Sequence, residues 1–154
     1  MSDLTNKSIL VRRPGGDQVA LVVAIVLDPL TLNVERLLAG LVPELARGGV
    51  RGGLLVLGDS TLVLRAKGAK IEVDEVDTSV LLSLAEIDEE WDRESLVELM
   101  LRWIETLASD WRDRIIDERQ RELLVPHIVA GLGGEPEVVD GIWGHEAHRL
   151  VEAE

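Results

Sequence analysis

The sequence predicts an α+β fold, with a mostly antiparallel sheet of about five strands first and helices after it. Two observations carry that prediction. Before residue 77, short apolar runs alternate with Gly, Pro and Asp turn signals, the pattern of strands joined by tight connections. After residue 77, apolar residues recur every three or four positions, the pattern of helices. Runs of strands followed by runs of helices segregate into an α+β domain. The 154 residues fit one such domain over 1–154, with a sheet-forming part at 8–76 and a helical part at 79–151.

The elements follow in chain order. Ser8–Arg13 and Gln18–Leu27 read as a hairpin around Pro14-Gly15-Gly16-Asp17. The second strand is apolar on both faces from Ala20 to Leu27, so it belongs in the centre of a covered sheet or in an interface. Asp28-Pro29 stops it, and Asn33 is placed to cap a helix with Leu32 and Leu37 as its staple. Apolar positions 34, 37, 38, 41, 42 and 45 give that helix one face, and Gly48-Gly49 ends it. Gly40 and Pro43 fall inside, which predicts a kink or two short pieces.

Three strands follow. Leu54–Leu57 and Thr61–Ala66 flank Gly58-Asp59-Ser60, and Lys70–Val76 alternates with Ile71 and Val73 on one side and Glu72 and Asp74 on the other. The Gly52-Gly53 pair signals a bulge or a close backbone approach. A short helical segment, Ser79–Ile87, leads to an acidic bend. Asp92 then caps a long amphipathic helix, with Trp91 and Leu96 as staple. Leu96, Leu99, Met100, Trp103, Ile104, Leu107 and Trp111 span an arc too wide for one neighbour, so two contact surfaces are expected: the sheet, and another helix or a second subunit. A final helix is expected near Val138–Val151.

Composition narrows the function classes. The chain has no Cys, Tyr or Phe and three His, which removes thiol and phenol chemistry and every disulfide. Net charge is −13 and unevenly spread: +2 over residues 1–69, −10 over 70–122 and −5 over 123–154. An acidic second half repels nucleic-acid phosphates and anionic lipid and favours basic partners or simple solubility. The N-terminus lacks the charged lead and apolar stretch of a signal peptide, and the longest apolar run is far short of a membrane span. A soluble cytoplasmic protein is the expectation, with no nucleic acid or membrane as partner and no cofactor.

Three sets of residues bear on chemistry. Gly58-Asp59-Ser60 after an apolar strand resembles the serine block of the GDS-type hydrolases, which implies Ser60 as nucleophile. Those enzymes also carry a late Asp-x-x-His block, and here Asp140 is followed only by His145, so the spacing departs from theirs. His145 and His148 share a helical face with Asp140 one turn earlier, and two His plus a carboxylate can ligate a metal. Arg121 and His127, with five residues between them, resemble the Arg/His pair of the HEPN ribonucleases. Pro126, the acidic charge and the strand-rich first half all depart from that family.

Two further groups read as structure or interface. Asp88, Glu89, Glu90, Asp92 and Glu94 form the densest acidic cluster. Arg93 and Leu99 stand where a calcium loop needs Gly and Glu, so the carboxylates serve a helix start. Trp residues concentrate binding energy at interfaces, so Met100, Trp103, Trp111 and Trp143 are the candidate contact residues. The leading expectation is a non-enzymatic protein–protein interaction or regulatory domain, a homodimer or a subunit of a larger assembly. The alternatives are a metal or serine hydrolase and an acidic chaperone-like protein for a basic client.

Overall fold

The computed structural model describes residues 5–28, 33–68 and 70–142. They form an α+β structure around a six-stranded mixed sheet. The strands are β1 (Lys7–Arg12), β2 (Val19–Ile25), β3 (Gly52–Val56), β4 (Ser60–Lys67), β5 (Lys70–Asp77) and β6 (Pro136–Asp140), in the order β5-β4-β3-β2-β1-β6. Every neighbouring pair is antiparallel except β2 and β3, which run parallel with Leu21 opposite Gly52 and Ile25 opposite Val56. A parallel pair needs a crossover, and α1 (Val34–Gly48) supplies it.

The central strands are apolar on both faces because both faces are covered. On one side, α1 packs Leu37, Leu41 and Leu45 onto Leu10, Val22, Ala24, Val26, Leu55 and Leu64. On the other, α2 (Thr78–Ser83), α3 (Leu96–Arg114) and α4 (Glu118–Leu124) enclose Ile9, Val11, Leu21, Val23, Ile25, Leu54, Val56 and Val63. Alternate residues of one strand point to opposite faces, so the run Leu21–Leu27 feeds both cores.

Local signals set the helix ends. The Asn33 side chain accepts from the Arg36 N–H, and Gly49 closes α1 in the left-handed region at φ 69°. The helix does not split into two short pieces: α1 runs through Pro43 as one element. Pro43 and Ala39 both lie on the exposed side, so water can serve the Ala39 carbonyl that the ring leaves without a donor. Asp92 and Ser95 form a capping box at a 3₁₀ turn, Arg93–Ser95, that runs on into α3. The Asp117 side chain accepts from the N–H groups of Arg119 and Gln120 at the start of α4.

One element departs from expectation. Residues 136–140 form β6, not the start of a helix, and pair along β1 from Val11 opposite Pro136 to Lys7 opposite Asp140. The helical spacing read there is overridden by an open sheet edge with unmet backbone donors and acceptors. The remainder of the helix expected at 138–151 lies outside the described residues beyond 142. Among the described residues no helix is long and apolar enough to cross a membrane.

Candidate functional site

The long helix uses its wide apolar arc within the chain. Leu96, Leu99, Met100, Trp103, Ile104 and Leu107 are all buried in the larger core. Trp103 is fully buried and its indole N–H donates to the Leu81 carbonyl of α2 at 2.8 Å. The two surfaces that the arc contacts are therefore the sheet and the neighbouring helical segments. Met100 and Trp103, expected as contact residues, are fully buried, so a partner cannot reach them in the folded chain. Trp111 is half-buried, with the Arg112 guanidinium 5.1 Å from its ring centroid. Trp143 lies outside the described residues.

The serine and metal candidates are dispersed. Ser60 opens β4, and its carbonyl accepts from the Leu57 N–H to close the β3–β4 turn. Among the described residues its hydroxyl has no imidazole or carboxylate partner. The polar work at this turn falls to Thr78, whose hydroxyl donates to the Gly58 carbonyl at 2.5 Å and meets the Thr61 hydroxyl at 2.8 Å. Both threonines are buried, so these bonds satisfy hydroxyls that would otherwise be stranded. Asp140 is exposed and ion-paired with Lys7 across β1 and β6. His145 and His148 lie outside the described residues. Among the described residues no three His, Asp or Glu side chains are grouped to hold a metal.

Arg121 and His127 do not converge on a site. Arg121 Nε donates to the Ile115 carbonyl at 2.7 Å, which closes the corner between α3 and α4. His127 follows α4, and its carbonyl lies over Gly52, where an added Cβ would stand only 2.7 Å away. The Gly52 signal is thus a close backbone approach.

What the structure does assemble is a charged surface. The helical layer from 78 to 124 carries thirteen Asp and Glu and six Arg, and all thirteen carboxylates are exposed. Arg102 pairs with Glu89, and Arg114 with Glu86 and Asp110. Arg93 and Arg121 instead donate to the carbonyls of Val26 and Ile115. Ten carboxylates are left without an ion pair among the described residues, including Glu94, Glu98, Glu105 and Asp113. Ile116 stands at the α3–α4 corner of the same layer, 74% exposed and beside the acidic Asp117 and Glu118. The sequence showed the acidic composition. It did not show that the arginines of this layer are partly consumed by backbone carbonyls.

Comparison of the chain with protein-family models, with curated proteins and with solved structures returns no match, so the geometry of this surface is the ground for a functional reading.

Proposed function

We propose that the chain is a non-enzymatic binding module that docks a basic protein partner on its acidic helical layer. The observation that supports this reading is the set of thirteen exposed carboxylates, of which only three are ion-paired among the described residues. An excess of negative charge on one layer steers positively charged partners and raises association rates. Ile116, exposed amid that charge, supplies an apolar contact of the kind that anchors an interface. The same charge disfavours pairing of two copies through this layer, because like charges face each other across a twofold interface. Among the alternatives, an acidic chaperone-like protein for a basic client therefore agrees with this reading better than a homodimer through this layer does.

The test is light scattering on protein purified gently from its native host, with identification of what co-purifies. Triple replacement Glu98→Gln, Glu105→Gln and Asp113→Asn accompanies it. A stoichiometric partner with a basic contact surface, weakened by salt and by the triple variant, is the expected result. A complex indifferent to both, or a clean monomer, would overturn the reading.

A further inference from the structure

The β1–β2 turn and the loop before β6 line an open surface cleft of about 620 Å³. That volume lies within the range of small-molecule sites. Its walls are two glycine-containing segments, Pro14–Gly16 and Gly133–Gly134, with Arg12, Arg13, Glu135 and Glu137 around them. The two segments are held together closely. A Cβ on Gly134 would fall 1.7 Å from the Arg12 carbonyl oxygen, and one on Gly133 would meet Pro14 at 3.2 Å. These two glycines are therefore explained by packing.

Gly16 is not. Its φ lies outside the left-handed region, and the nearest atom to an added Cβ is the Arg13 carbonyl oxygen at 3.9 Å. Neither strain nor crowding requires glycine there. The effect of its missing side chain is to keep the cleft wall low, so that a ligand can approach the backbone.

The charges around the cleft differ in their availability. Arg12 is held by an ion pair with Glu137 and by a bond from its Nε to the Asp17 carbonyl at 3.2 Å. Arg13 is exposed, and its guanidinium has no acceptor among the described residues. Its backbone is fixed, since the Arg13 N–H donates to the Gln18 carbonyl and the Arg13 carbonyl accepts from the Gly16 N–H. A guanidinium on a fixed turn presents a planar fork that matches an oxyanion. Glu135, also exposed, stands on the same cleft and opposes a highly charged ligand.

We infer that this cleft binds a small, singly charged oxyanion through Arg13, with Gly16 leaving the room for it. A carboxylate and a singly protonated phosphate share this chemistry. The site is independent of the acidic helical layer.

The experiment is a titration of ¹⁵N-labelled protein with acetate, inorganic phosphate at acidic pH and ATP, followed by amide chemical shifts. It is repeated on Arg13→Gln and Gly16→Val. Both changes fall on exposed positions where the fold makes no demand, and unaltered thermal unfolding checks this. The expected result is one saturable shift shared by residues 13–17 and 133–137. It appears with acetate, phosphate or both, which separates the two sources. Affinity falls about tenfold in Arg13→Gln, the loss of one charge-assisted contact, and falls also in Gly16→Val. Absence of a saturable shift, shifts confined to one loop, or equal affinity in Arg13→Gln would overturn the site. Tighter binding of ATP than of either small anion would overturn the assignment to a single charge.

Discussion

The two faces of the sheet are closed by different amounts of protein. Among the described residues, the face under α1 buries twelve apolar residues, whereas the face under α2, α3 and α4 buries twenty-five. The first helix follows from a local pattern: Asn33 starts it, Gly49 stops it, and three leucines a turn apart meet the sheet. The second layer is a composite in which α2, α3, α4 and the 3₁₀ turn at Val129–Gly131 share one core with the strands. Hydrophobic stabilisation scales with apolar area removed from water, so the larger face carries more of the stability. It is also the face whose outer side carries the acidic surface. The difference teaches that the layer proposed for binding is the best anchored one.

The comparison can be broken at its centre. Trp103→Ala removes the largest fully buried side chain among the described residues and leaves the Leu81 carbonyl without its donor. A loss of about 3–5 kcal/mol is expected in urea unfolding, a large share of the stability of a domain this size. A loss near that of a surface substitution would show that the larger core is not the dominant one.

Leu41→Ala makes the matching cut under α1, where Leu41 is fully buried. The expected loss is about 2–3 kcal/mol by the same measurement, toward the lower part of the range for such truncations, because one helix can settle onto the sheet. A loss equal to that of Trp103→Ala would put the two faces on equal terms.

The smallest effect sharpens the picture at the rim of the larger layer. Glu86 follows α2 at φ 60°, a left-handed position usually given to Gly, and the Ile87 N–H closes the turn onto the Leu82 carbonyl at 3.1 Å. Its carboxylate, 80% exposed, pairs with Arg114. Relief of backbone strain outweighs loss of an exposed ion pair. Glu86→Gly is therefore expected to raise the melting temperature slightly, with a gain of up to about 1 kcal/mol. A lower melting temperature would show that the Arg114 pair matters more than the strain.

The parts of the fold that were legible are those set by neighbours in sequence. Asn33, Gly49 and the Asp92–Ser95 box act within one turn of chain, and β4 and β5, adjacent in sequence, pair as neighbours in the sheet. The wide arc of α3 was legible as apolar, but its second partner was not. Whether such an arc meets α2 or another molecule depends on how the chain returns after Ser83. β6 was missed for the same reason: Val138 and Val139 suit a strand or a helix, and only the vacant edge of β1 chooses.

The candidate site was legible in composition alone. Charge counts along the chain showed where the acid lies. They did not show that Met100 and Trp103 are sealed inside, that Arg93 and Arg121 turn to carbonyls, or that Ile116 is left outside.

By itself, then, the sequence determined the class of fold, the caps and turns, the two-faced central strand and the sign of the charge. Each of these depends on residue type and on contacts a few positions away. The tertiary structure decided the parallel pairing of β2 with β3, the sixth strand, the burial of the long helix and the cleft between the Arg13 and Gly134 loops. Those depend on segments distant in the chain meeting in space, where competing partners for the same apolar face or backbone edge are settled by packing.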